Sequence, residues 1–516
     1  VEVALSITDF LDRAELVYGE RVAVVDEPAT TAGAPESLGR VTYGRLAAMA
    51  RSLAVSLDEL GLDAGERVAI VSPNAARFLT TLFGVSGYGR AIVPINFRLN
   101  ADEVAYIVGH SQASVLLVDP EHDGPLRDVD VKHRFVLGAE TDAELFERDG
   151  TPKHVSDDER ATASINYTSG TTARPKGVQL THRSLWLNAS IFGWHAGVSD
   201  RDVYLHTLPM FHCNGWGLPY ALAGMGARQV VIRKIDGEDI LRRVEAEGVT
   251  FLAGAPAVVA AVLDAAAARR GRGEEIPGRD RVRMVVAGAP PPSKVIERVE
   301  TELGWEFFQI YGLTETSPLL TVNRRRAEWD DLEPADRARL LSRAGAPAIG
   351  VRGDVAARGE VLARTNHVFE GYWDQPEETA KAIVDGWFHT GDGGELDGAY
   401  LVISDRKKDV IISGGENVSS IEVEDCLYQH PAVAECGVIG VPDEKWGETV
   451  KALVVVRDGH TVTEADVIEH CRAHLAHFKC PTSVEFRDAL PRTATGKLQK
   501  FKLRSDYWAG QERQVH

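Results

Sequence analysis

Short apolar runs rich in β-branched residues recur between helical segments through most of the chain, and that alternation limits the fold more than any other feature. Residues 67–72 (RVAIVS), 91–94 (AIVP), 115–119 (VLLVD), 229–232 (QVVI) and 282–287 (VRMVVA) read as strands buried on both faces. Residues 43–57 and 239–247 carry the helical period between such runs. Strands of this kind separated by helices predict mainly parallel sheets covered on both sides, the α/β class. At 516 residues the chain exceeds one ordinary core, so two or more domains are expected. No repeat of fixed period interrupts the pattern, and the polar stretches 271–281 and 324–343 are expected to be surface loops or short helices.

The texture changes at residues 405–409 (DRKKD). A glycine-rich loop, a helix over 420–429, strands over 435–439 and 451–456 and a helix over 464–476 follow it. That is a compact α+β unit of ordinary domain size. The formal charge of −19 favours solubility and argues against nucleic-acid or anionic-membrane partners. Five cysteines without a CxxC pair read as reduced, mostly buried thiols. No apolar run is long enough to span a membrane. The first residues (VEVALSITDFLDRAELV) lack a basic stretch ahead of an apolar core, so no secretory signal is expected. A cytoplasmic setting follows from these readings.

Residues 167–178 (YTSGTTARPKGV) concentrate groups suited to holding phosphate. Thr168, Ser169, Thr171 and Thr172 bring four hydroxyl donors, and Gly170 lets backbone N–H groups turn inward. Arg174 and Lys176 add cations, whose charge-assisted contacts are roughly twice as strong as neutral ones. Alone, such a run also suits a polar surface turn. It is not a Walker A loop, because Gly177 follows Lys176 where a magnesium-binding hydroxyl is needed. No GxGxxG follows a strand, which disfavours a dinucleotide enzyme.

This loop resembles the signature of the adenylate-forming superfamily, and the resemblance continues in order along nearly the whole chain. PMFHCNGW (209–216), AGAP (287–290), YGLTE (311–315), GYW (371–373), TGD (390–392), DRKKD, SGGENV (413–418) and PRTATGK (491–497) follow in turn. The chain is thus identified as a member of the acyl-CoA synthetase (acid–CoA ligase) group of that superfamily. The resemblance implies a large N-terminal domain (1–404) of mainly parallel sheets flanked by helices, with a β-rich subdomain. A hinge (405–408) and a small mobile α+β C-terminal domain (409–516) complete it. ATP/AMP, Mg2+ and coenzyme A are the implied cofactors, a small carboxylic acid is the implied substrate, and a homodimer is common among relatives.

Roles carry over residue by residue. Glu315 matches the magnesium-linked glutamate, and Thr314 is expected to contact the adenylate phosphate. Gly288, Ala289, Pro290 and Tyr311 are expected to border the adenine. Asp392 is suited to accept both ribose hydroxyls, since a carboxylate has two acceptor oxygens. Arg406 resembles the arginine that contacts ribose and phosphate, and Lys408 matches the hinge position. Lys497 resembles the lysine that bridges carboxylate and α-phosphate as charge builds. Gly414, Gly415 and Glu416 should line the pantetheine tunnel, with Phe478 and Lys479 at the outer nucleotide of coenzyme A. Cys480 stands where a basic residue often occurs and reads as a buried thiol. His212 matches a residue beside the acyl carbonyl and the thiol path, and Phe211, Trp216 and the segment 218–222 border the expected acyl pocket.

Two departures bear on the first half-reaction. Ala173 stands where the pattern commonly has glycine, and 350–360 (GVRGDVAARGE) looks like a trimmed hairpin. They raise an alternative in which the enzyme only converts a supplied acyl-adenylate to its thioester. A carrier-loading acyl-AMP ligase is a further alternative. The PMFHCNGW segment, however, lacks the aspartate that amino-acid-activating relatives use, and no insertion follows the hinge.

Overall fold

The computed structural model describes residues 1–26, 34–168, 174–288, 291–356, 359–406, 409–413, 416–443, 446–493 and 498–508, with the side chains of 404–406 and 417 excepted. Two large sheets organise the first part of the chain. A seven-stranded sheet runs in the order Gly371–Tyr372, Lys176–Thr181, Thr162–Thr168, Ala91–Ile95, Arg67–Val71, Ala113–Val118, His133–Val136. Its interior pairs are parallel, whereas Thr162–Thr168 and Lys176–Thr181 form an antiparallel hairpin. A nine-stranded sheet has a parallel centre that includes Val203–His206, Phe251–Gly254, Arg283–Val286 and Glu306–Gly312, with antiparallel strands at its margins.

Side chains along each strand alternate between two cores, as the pleat demands. Val68 and Ile70 belong to a core between the two sheets, whereas Ala69 and Val71 face a second core under the helix Ala101–Ser111. On the nine-stranded sheet Tyr204 points to the central core, and its neighbour Leu205 packs with helices Gly237–Glu247 and Pro256–Gly271. The helix Ala76–Ser86 lies inside, with all of its residues buried. Its buried polar side chains are satisfied within the protein: Thr80 and Thr81 donate to carbonyls one turn back, Ser86 donates to the Ala163 carbonyl, and Arg77 pairs with Asp142.

Residues 352–406 form the antiparallel, β-rich part. The segment 350–360 enters a hairpin: Arg352–Val355 pairs with Glu360–Arg364, and Ala356 N–H donates to the Glu360 carbonyl at 2.8 Å. Residues 411–486 build a five-stranded sheet with its own core, to which Cys426, Cys436, Cys471 and Cys480 contribute. Its long hairpin exceeds the sequence expectation. Val433–Asp443 pairs with Gly447–Val456 into polar residues such as Glu448, because backbone pairing continues where the apolar pattern stops. All five cysteines are buried. The two parts touch where the Ser293 backbone N–H (2.8 Å) and hydroxyl (3.2 Å) donate to the Asp425 carboxylate.

Candidate active site

Several of the expected nucleotide residues sit at or just beyond the C-terminal ends of strands, where open α/β sheets bind ligands, whereas Lys176 opens its strand and Asp392 lies within Trp387–Asp397. Thr168 ends its strand directly opposite Lys176. Gly288 follows Arg283–Val286, with the left-handed φ of +93° that favours glycine. Tyr311 and Gly312 close the neighbouring strand, and Thr314 and Glu315 begin the short turn after it.

Gly312 is fixed by space. A Cβ there would lie 1.5 Å from the Pro318 carbonyl oxygen, so only glycine allows the chain to fold back after the strand. Gly312→Ala is expected to destabilise the protein by about 3 kcal/mol or more, the upper range for overpacking. Thermal melts followed by circular dichroism would check this, and an unchanged melting temperature would contradict the packing argument.

Hydrogen bonds join the phosphate hairpin to this turn. Gly371–Tyr372 pairs with the hairpin at Gln179 and Val178. The Tyr372 hydroxyl donates to Glu315 Oε1 at 2.8 Å, and Phe369 N–H donates to the Glu315 carbonyl at 2.7 Å. Burial and the facing Glu315 carboxylate push the Tyr372 hydroxyl well above its ordinary pKa, so it stays a donor. Lys176 Nζ lies 4.8 Å from the centre of the Tyr372 ring and pairs with Glu378 at 2.5 Å. The hydrogen bond from Lys176, aided by Lys381, pulls the Glu378 carboxyl down to about 2. The ion pair is therefore complete above the usual carboxylate range and is lost only as pH falls toward that value. At the far side the Tyr311 hydroxyl donates to Asp392 Oδ2 at 2.9 Å, and Asp392 stands opposite Arg406 in an antiparallel pair.

The segment after Val203–His206 adopts an unusual backbone. Cys213, Asn214 and Trp216 have φ of 47°, 49° and 61°, interleaved with Gly215 and Gly217 in the same region. Such a conformation costs about 1–2 kcal/mol for each non-glycine residue. Surrounding amides hold it: Asn188 Nδ2 donates to the Trp216 carbonyl at 3.0 Å, and Asn74 Oδ1 accepts from Met210 N–H at 2.7 Å. Ser164 and Asn166 donate to Asn214 Oδ1, whose buried Nδ2 has no hydrogen-bond partner among the described residues. Phe211 and Trp216 are buried and His212 is half-buried. Persisting strain of this kind clusters at functional sites.

Glu416, Phe478 and Lys479 come together on the small domain instead. The strand Glu416–Val418 packs beside the turn His477–Lys479, where Phe478 is exposed and Lys479 pairs with Glu422 at 2.7 Å. Cys480 is buried in that domain's core. Ser169, Gly170, Thr171, Thr172, Ala173, Ala289, Pro290, Lys408, Gly414, Gly415 and Lys497 lie outside the described residues, as does the side chain of Arg406. Sequence reasoning gave no role to Tyr372, Glu378 or Asn214. The GYW and PMFHCNGW motifs contain two of them, but no local signal marks Glu378.

Comparison with known proteins adds to this geometry. Residues 11–373 match the model of the AMP-binding enzyme family, and residues 422–497 match that of the AMP-binding enzyme C-terminal domain. The chain is 37% identical to 2-methylpropanoate–CoA ligase CCL4 of Humulus lupulus, over 96% of this chain and 94% of that protein. It is 36% identical to 4-hydroxybutyrate–CoA ligase 2 of Metallosphaera sedula, over 96% and 93%. Among solved structures it resembles the anthranilate CoA ligase AuaEII in complex with anthranoyl-AMP. The TM-score is 0.86 at 26% identity, with 98% of each chain covered. ATP-bound MatB from Rhodopseudomonas palustris matches with a TM-score of 0.82 at 27% identity, over 97% of this chain and 99% of that one.

Proposed function

The chain belongs to the AMP-binding enzyme family, and from that premise we propose that it is an acid–CoA ligase acting on a small aliphatic carboxylic acid. The observation that carries this reading is the path from the Lys176 ammonium over the face of the Tyr372 ring, and from the Tyr372 hydroxyl by a hydrogen bond to Glu315, beside the pair Tyr311–Asp392. It joins an anion-binding hairpin to an oxygen-donor turn at the ends of parallel strands. The short aliphatic substrate follows from the named substrates of the relatives, 2-methylpropanoate and 4-hydroxybutyrate.

In the first step a carboxylate oxygen attacks the α-phosphorus of ATP, the bond to pyrophosphate breaks, and acyl-AMP forms. Two anions must approach, so cations and donors have to offset their repulsion. The hairpin hydroxyls and Lys176 hold the phosphates, Thr314 donates to the α-phosphate, and Asp392 and Arg406 fix the ribose. The hard carboxylate oxygens of Glu315 fit Mg2+, which when bound neutralises charge on the phosphates. Lys497, delivered from the small domain, spans carboxylate and α-phosphate. In the second step the coenzyme A thiolate attacks the acyl carbon and AMP leaves, past His212. Lys408 is the hinge between a large domain (1–404) and a small one (409–516), whose Gly414, Gly415 and Glu416 line the pantetheine path.

A carboxylic-acid panel scored for acyl-CoA by mass spectrometry, with pyrophosphate measured in parallel, tests this reading. Short and branched aliphatic acids are expected to give both products. Thioester from supplied acyl-adenylate without acid-dependent pyrophosphate would replace it with the half-reaction enzyme, and the absence of any thioester would overturn it.

A further inference from the structure

The helices Ser420–Tyr428 and Glu464–His474 of the small domain bring together a cysteine and two histidines outside the active site. Cys426, His470 and His474 each offer one ligand atom, and these atoms all lie within 4.8 Å of one another. His470 and His474 are four residues apart on one helix, the spacing that puts two imidazoles on the same face.

Their hydrogen bonds also fix the tautomers of the two rings. His470 Nε2 is 3.0 Å from the Cys426 carbonyl, and His474 Nδ1 is 2.8 Å from the His470 carbonyl. A carbonyl only accepts, so those ring nitrogens carry the protons. In the neutral rings the lone pairs therefore sit on His470 Nδ1 and His474 Nε2. A backbone carbonyl holding the other ring N–H is the usual support of a metal-bound histidine. The cluster grades from buried Cys426 through half-buried His470 to exposed His474, which leaves an entry path from solvent.

We propose that Cys426, His470 and His474 form a binding site for a zinc-class divalent cation. One thiolate and two imidazoles suit Zn2+ or its spectroscopic substitute Co2+, and poorly suit Mg2+ or Ca2+. With bonds of about 2.0–2.3 Å at tetrahedral angles, ligand atoms stand roughly 3.3–3.6 Å apart, so small rotations close the site. The fourth position falls to water beside His474. The ion ties together two helices, one of which carries Asp425, the residue that meets Ser293 of the large domain.

Chelator-treated full-length protein titrated with Co2+ alone tests the site. About one equivalent is expected to produce ligand-field bands of tetrahedral cobalt together with a thiolate-to-cobalt charge-transfer band. An oxygen-only magnesium site cannot give the latter. Exposed His474→Ala is expected to weaken this binding at least about 10-fold, with the fold retained by circular dichroism. Cys426→Ser should remove the charge-transfer band. No charge-transfer band in the wild-type protein, or an undiminished cobalt affinity in His474→Ala, overturns the proposal.

Discussion

Replacing Lys497 with alanine slows acyl-adenylate formation by about 10²–10³-fold, the usual loss when one preorganised charge-stabilising group is removed. Thioester formation from supplied acyl-adenylate stays within a few-fold of the wild type. The split follows from the proposed chemistry. Negative charge converges on the α-phosphorus only in the first step, so the bridging ammonium is felt there and not when the thiolate meets the acyl carbon. Pyrophosphate release and acyl-CoA formation, followed in separate assays, measure the two steps. Equal losses in both would remove Lys497 from its assigned place.

Glu315→Gln has the next largest expected effect. The amide keeps the size of the side chain and an acceptor oxygen for the Tyr372 hydroxyl, but loses the charge proposed to hold magnesium. Adenylation is expected to fall by about 10²-fold, with more Mg2+ needed for half-maximal rate. Tyr372→Phe provides the contrast. It removes one hydrogen bond to a charged group, worth about 1.5–3 kcal/mol. A Tyr372→Phe loss equal to that of Glu315→Gln, with no change in magnesium demand, would make Glu315 a merely structural acceptor.

Much of this arrangement was legible in the sequence, for reasons that differ by residue. The parallel strands announced themselves because burial on both faces demands continuous apolar runs, and Val68–Ile70 is such a run. Thr168 and Lys176 face each other because a hairpin makes sequence neighbours into spatial ones. The partner of Lys176 was not legible. Glu378 is 202 residues away, and its own neighbourhood, PEETAKA, reads as an ordinary exposed helix. Tyr372 and Glu315, 57 residues apart, meet only once the 371–372 strand joins the sheet edge. The left-handed run from Cys213 to Gly217 was also hidden, since only two of its five residues are glycines. Cysteine and histidine counts gave no hint of the small-domain cluster, whose ligands sit on separate helices.

The Lys176–Glu378 pair has a consequence for how an acidic protein takes up a polyanion. With a formal charge of −19 the molecule repels nucleotides at long range. The Lys176 ammonium, proposed to hold phosphate, is already matched by the Glu378 carboxylate at 2.5 Å. Under the proposed function, nucleotide uptake would then be an exchange of counter-ions, a phosphate replacing Glu378 beside Lys176. A resident counter-ion also screens the lysine from stray sulfate and inorganic phosphate. Only a ligand gripped at several other points, as ATP would be in the proposed site, has enough binding energy to displace it.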